Sequence, residues 1–248
     1  MGDAVRVRRG VFPTDSLVTG TASLDVLLET ASARVRRAPS IRDEIVRYDV
    51  VISGYPRSGN SFLAEVLKSA NQCIEVGERQ HSPLVAPLAS SLAIPVVIPI
   101  REPIATISSW VLFKGASWST SNLKRYFHSY ARWHQFVRKY RDSETSVVVS
   151  FSEFTAKPSG VLALPLIREV VQPIRMDSSP EEILVRLREK EVTERGSSFA
   201  NTASVPVADR TQNQEQLRAR LGDAQVVEAV GAANEQYELL YAEVDSHP

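Results

Sequence analysis

The chain of 248 residues has a single cysteine, Cys73. No internal disulfide can form, and no cysteine-rich metal site is available. No apolar run reaches the roughly 18 residues of a membrane-spanning helix. An excess of charge of one sign is also missing: 29 Lys and Arg balance 29 Asp and Glu. Without a basic field there is nothing to draw in nucleic acid or an acidic membrane surface. Residues 1–9 are polar and basic, and no apolar stretch follows them, so no signal peptide is expected. No repeat or low-complexity tract stands out. These absences make a soluble, cytoplasmic chain with no transmembrane segment and no nucleic-acid partner the expectation, and its length suits one larger domain.

The most informative stretch covers residues 48–62. A short apolar run (Asp49, Val50, Val51, Ile52, Ser53) opens into a loop bounded by Gly54 and Gly59, and a helical pattern starts at Asn60. A strand feeding a glycine-bounded loop and then a helix is the local plan of a phosphate cradle. The glycines let the backbone turn sharply and come close to a ligand. Consecutive N–H groups form an anion-binding concavity, and the helix N-terminus faces the same spot. The residue after Gly59, where an ATP- or GTP-hydrolysing loop carries lysine, is Asn60. The cation sits inside the loop instead, at Arg57, whose planar fork of donors suits phosphate or sulfate oxygens.

The rest of the chain alternates between strand and helix patterns. Strands are expected at 49–53, 74–76, 95–100 and 145–151. Helices are expected at 60–70, 83–92, 103–113, 121–139, 159–171, 180–189, 214–221 and 224–244. Pro95 and Pro99 are awkward within a central strand. Upstream, Leu24, Leu27, Leu28, Ala31 and Val35 recur at helical spacing. Residues 190–213 read as a long polar loop. This order implies an α/β fold of three layers, αβα, with a central parallel sheet covered on both faces. The whole chain is read as one domain, with residues 1–47 as a helical N-terminal extension and 48–244 as the core.

Four separated segments, in one order, resemble the sulfotransferases that use 3′-phosphoadenosine 5′-phosphosulfate (PAPS). The first is Tyr55-Pro56-Arg57-Ser58-Gly59-Asn60, where the family has Tyr-Pro-Lys-Ser-Gly-Thr. The resemblance implies that Arg57, Ser58, Gly59, Asn60 and Ser61 hold the 5′-phosphosulfate, with Phe62 replacing a tryptophan near the adenine. The second, Glu78-Arg79-Gln80-His81, resembles a Lys-Thr-His segment. It implies His81 as the catalytic base and Arg79 in the lysine's place. The third is Arg101 closing a strand, with Pro103 two residues on and Ser109 eight residues on, a pair that grips the 3′-phosphate in the family. The fourth runs from Val147 to Pro158, with Phe151 standing for a tyrosine beside the adenine. A late Arg-Lys-Gly loop of the family has only a partial counterpart at Arg195 and Gly196, with Arg210 as a rival.

The residue types agree with such chemistry. Sulfuryl transfer to an alcohol or phenol needs a group to remove the acceptor's proton, and a neutral histidine suits that near pH 7. Arginines offset charge on the transferring group. By residue type alone, His81 also fits a loop histidine capping the next helix, and Arg101 a strand-end arginine paired with Glu102. The expected activity is transfer of a sulfuryl group from PAPS to a hydroxyl of a small-molecule, lipid or glycan acceptor. Adenosine 3′,5′-bisphosphate would be the product and no metal would be needed. A homodimer is compatible with the sequence. A P-loop small-molecule kinase is the rival, against which Asn60 speaks. A non-catalytic sulfotransferase-like binding module is the other.

Overall fold

A computed structural model of the chain describes residues 41–114, 119–171, 179–195, 217 and 219–244. The helix expected at 24–35 and half of that expected at 214–221 lie outside the described residues. So do Gly196 and Arg210.

The chain starts with α1 (Ile41–Ile45), β1 (Val50–Ser53), α2 (Asn60–Ala70), β2 (Val76–Gln80), α3 (Val85–Ser91) and β3 (Val96–Ile100). It continues with α4 (Pro103–Lys114), α5 (Thr120–Tyr140), β4 (Ser146–Ser150), α6 (Phe151–Ala156), α7 (Pro158–Ala163), α8 (Pro165–Val171), α9 (Pro180–Arg195) and α10 (Ala224–Val244). The four strands form one parallel sheet in the order β2-β1-β3-β4. This is the α/β three-layer arrangement expected from the alternation of patterns.

Strand side chains alternate between faces, and the two faces carry separate cores. Val51, Val96, Ile98, Ile100 and Val148 pack with α3, α5 and α10. Val50, Ile52, Val97, Val147 and Val149 pack with α2, α7, α8 and α9. Helices α2 and α3 thus lie on opposite faces. The chain leaves β1 in one direction to β2 and crosses back to β3, so the order reverses between β1 and β3. In open α/β sheets that reversal opens a crevice at the carboxyl ends of the strands.

Three expectations change. The second strand is Val76–Gln80, not 74–76. It is an edge strand paired only with β1, so its polar run Glu78-Arg79-Gln80 needs no apolar alternation and gave no strand signal. The helix expected over 159–171 is broken into shorter pieces. Pro158 and Pro165 each begin a new helix, and the residues before them, Lys157 and Leu164, leave the helical region with ψ of 79° and 131°. Proline disfavours helix in its predecessor and cannot donate to the turn before it. The polar loop expected from residue 190 starts later, because α9 continues to Arg195.

The prolines around β3 fit a central strand for a local reason. Pro95 contributes only its carbonyl, which accepts from Val51 N at 2.9 Å. The β1 pairing ends at Ile52↔Val97, while Pro99 pairs with Val149 on β4. Beyond Val97 no β1 ladder needs the donor that Pro99 lacks. No helix among the described residues is long and apolar enough to cross a membrane.

Candidate functional site

Each of the four segments singled out above lies at the carboxyl end of a different strand. Gly54 follows β1, His81 follows β2, Arg101 follows β3 and Phe151 follows β4. A parallel sheet brings these four carboxyl ends to one edge, so residues far apart in sequence meet there.

The loop after β1 is held open by its backbone. Gly59 has φ 94° and caps α2 in the left-handed region, and Arg57 also sits there at φ 73°. That conformation disfavours side chains with a Cβ, so Arg57 is a strained residue inside this loop. A Cβ on Gly59 would meet Phe151 Cδ2 at 2.6 Å and Phe154 Cζ at 2.8 Å. Ser58 is fully buried, and its hydroxyl has no hydrogen-bond partner among the described residues. Backbone strain and an orphaned hydroxyl together are features found where a loop is shaped for a ligand rather than for stability.

Arg57 turns toward α4. Its Nε donates to Ser109 Oγ at 3.0 Å, and its guanidinium lies 4.9 Å from the centre of the Phe113 ring. Arg101 Nη1 donates to the Arg57 carbonyl at 3.1 Å, while its guanidinium lies 4.3 Å over the Phe151 ring. The loop cation and the Arg101/Ser109 pair are therefore one cluster, with Phe151 between Gly59 and Arg101. A cavity of about 270 Å³ adjoins it, lined among others by Arg101, Glu102, Phe151, Ser152 and Tyr237. Burial, then Glu102, pushes the Tyr237 hydroxyl up to about 12, so it is a neutral donor there.

His81 is tied to the same loop. Its Nδ1 lies 2.9 Å from the Gly54 carbonyl and 3.1 Å from Asn60 Nδ2, which itself donates to Gly54 O at 3.1 Å. A carbonyl oxygen can only accept. The tautomer with the proton on Nδ1 donates to it and leaves the basic lone pair on Nε2; Asn60 Nδ2, itself a donor, is then a close neighbour of Nδ1 and bonds Gly54 O instead. Gly54 is needed because of this packing: a Cβ there would lie 2.2 Å from Asn60 Oδ1.

Not every expected residue joins the cluster. The Asn60 side chain turns inward to Gly54 and His81 and is 5% exposed. Phe62 is core, stacked on Phe154 at 6.0 Å. Ser61 is half-buried in the first turn of α2. Arg79 stands on β2, two residues before His81, and Arg195 ends α9; their side chains lie outside the description.

Sequence reasoning missed the layer beneath. Tyr130 Oη donates to the Arg101 carbonyl at 2.6 Å, and Trp133 Nε1 donates to the His81 carbonyl at 2.8 Å. Tyr55 Oη donates to Ser129 Oγ at 3.3 Å. Tyr130 also stacks on His134, with ring centres 3.8 Å apart. Burial holds the Tyr55 and Tyr130 hydroxyls protonated and pushes His134 down to about 3, so all three rings are uncharged at neutral pH. The available signal was the use of Tyr and Trp, which carry polar handles, at helical spacing where Leu or Phe would have filled a core.

Comparison of the chain with protein-family models, with curated proteins and with solved structures found no match in any of the three.

Proposed function

We propose that this chain is a sulfotransferase that takes a sulfuryl group from PAPS and delivers it to a hydroxyl of a small-molecule, lipid or glycan acceptor. One observation carries the reading. Two guanidiniums, a serine and a histidine, drawn from three separate strand ends and one helix, meet around a strained glycine loop at the carboxyl edge of a parallel sheet. That is a site for an anionic, ring-bearing ligand: Arg57, Arg101 and Ser109 supply donors to phosphate or sulfate oxygens, and Phe151 supplies a ring face. The strained turn at Arg57 and Gly59 and the orphaned Ser58 hydroxyl fit a doubly phosphorylated nucleotide better than they fit a plain core turn.

When bound, PAPS supplies an activated sulfur joined to a good leaving group. The chain's residues do the rest. His81, held through Nδ1, presents Nε2 to take the acceptor's hydroxyl proton as its oxygen bonds to sulfur. Arg57 and Arg79 offset charge on the sulfuryl and bridging oxygens, and Arg101 with Ser109 hold the 3′-phosphate of the departing adenosine 3′,5′-bisphosphate. Asn60 also weighs against ATP chemistry. Residue 60, where a kinase loop carries its lysine, is an asparagine that packs against Gly54 and His81.

Two variants test the reading. Arg101→Ala should weaken adenosine 3′,5′-bisphosphate binding by about 10-fold or more, as expected for loss of a charge-assisted hydrogen bond of ~1.5–3 kcal/mol. Titration calorimetry reads this directly, and equal affinity for wild type and variant would remove the nucleotide assignment. His81→Ala should abolish sulfuryl transfer while nucleotide affinity stays close to wild type. In a thermal-shift comparison, adenosine 3′,5′-bisphosphate should stabilise the wild type and ATP with Mg²⁺ should not. The reverse would favour the kinase.

A further inference from the structure

Helix α5 repeats the order of the strand ends above it. Trp133 holds the carbonyl of His81, the residue that follows β2. Tyr130, one turn earlier, holds the carbonyl of Arg101, which follows β3. Tyr55, from the loop after β1, lies edge-on to both, with ring centres 5.1 Å from Tyr130 and 6.2 Å from Trp133. Its hydroxyl reaches Ser129 of the same helix. The sheet order is β2-β1-β3, and the side-chain order beneath it is Trp133, Tyr55, Tyr130. Strands two apart in a sheet are separated by about 10 Å, and nothing in the sheet's own ladder fixes how far the residues beyond the strand ends stand from one another.

We infer that Tyr130 and Trp133 are positioning residues, which set Arg101 and His81 at a fixed separation across β1 through their main-chain carbonyls. The inference rests on the sulfotransferase reading, in which Arg101 holds nucleotide and His81 moves the proton. A helix that only covered the sheet would need apolar side chains at these positions. Here both buried rings direct their one donor at the main chain of a site residue, and each reaches a different strand end. The two residues therefore have separable effects, although they sit three apart on one helix. Tyr130 governs the nucleotide grip, and Trp133 governs the histidine.

The test uses the full chain with Tyr130→Phe and Trp133→Phe. The readouts are the adenosine 3′,5′-bisphosphate affinity by calorimetry and the ring resonances of His81 by NMR, assigned by their loss in His81→Gln. Tyr130→Phe should weaken nucleotide binding by about five- to tenfold, the usual worth of one lost hydrogen bond, and leave the His81 ring signals in place. Trp133→Phe should move the His81 signals and leave the affinity within about twofold. Variants that both change the two readouts together, or leave both unmoved, overturn the inference. If Trp133→Phe fails to fold, 3-benzothienylalanine at position 133 keeps the ring shape without the N–H and gives the same comparison. Absence of nucleotide binding in the wild type would defeat the sulfotransferase reading instead, and the His81 signals would still decide whether Trp133 positions that ring.

Discussion

The two faces of the sheet are built from different kinds of side chain. The face covered by α2, α7, α8 and α9 is almost wholly aliphatic: Leu63, Val66, Leu67, Val161, Leu162 and Ile167, with Phe62 and Phe154 as its buried rings. The face covered by α3, α5 and α10 includes Tyr55, Trp110, Tyr126, Tyr130 and Trp133, and His134 is buried among them. Among the described residues, the buried aliphatic and phenylalanine side chains of the first face carry no hydrogen-bond donor. The second sends donors to the carbonyls of Arg101 and His81. Both faces bury apolar area, the main favourable term in folding, but the aromatic face adds hydrogen bonds to the main chain of the site. A core can be supplied by volume alone. Alignment of strand ends needs directional bonds.

This contrast can be broken in three ways. The largest effect is expected on the aliphatic face. Leu67→Ala, at a fully buried position, should cost about 2–5 kcal/mol of stability in denaturant unfolding. The nucleotide affinity of the folded protein should not change, and a matching loss of affinity would show that the aliphatic face also shapes the site.

The next is a pH effect confined to the aromatic face. His134 is neutral when folded, held down to about 3 by burial, against 6.5 when unfolded. Between those values the unfolded chain binds one more proton than the folded one. The stability His134 supplies is thus whole above pH 6.5 and is lost as pH falls toward 3, by about 1.4 kcal/mol per unit. His134→Phe should remove that part of the slope when stability is measured between pH 7 and pH 4. An unchanged slope would mean that His134 does not stay neutral in the fold.

The smallest effect is at Tyr55→Phe, which deletes only the hydroxyl that reaches Ser129. It should cost about 1 kcal/mol of stability and weaken adenosine 3′,5′-bisphosphate binding modestly. A stability loss with unaltered binding would reduce Tyr55 to an ordinary core ring.

Legibility in the sequence followed the range of the interaction. The helix from Asn60 to Ala70 and that from Ala224 to Val244 were readable to the residue, because period and punctuation are local. The strand carrying Arg79 was not, because an edge strand tolerates the polar run Glu78-Arg79-Gln80. Pro158 and Pro165 are visible in the sequence, yet the apolar periodicity around them outweighed their effect on the preceding residue. In the candidate site, Arg57, His81, Arg101 and Ser109 were singled out by the family resemblance, and the structure places them at neighbouring strand ends. The inward turn of Asn60, the buried place of Phe62 and the roles of Tyr130 and Trp133 were not legible. Each depends on a partner at the end of another element.

By itself the sequence determined where the chain turns, which stretches alternate, and that an arginine-bearing glycine loop precedes a helix. Those properties depend on neighbours within a few residues, through backbone sterics and side-chain period. Only the tertiary structure decided that Arg57 reaches Ser109, 52 residues away, and that Trp133 reaches His81, also 52 residues away. The strand order sets which carboxyl ends are neighbours, and that order follows from packing two different faces at once, which no single segment encodes.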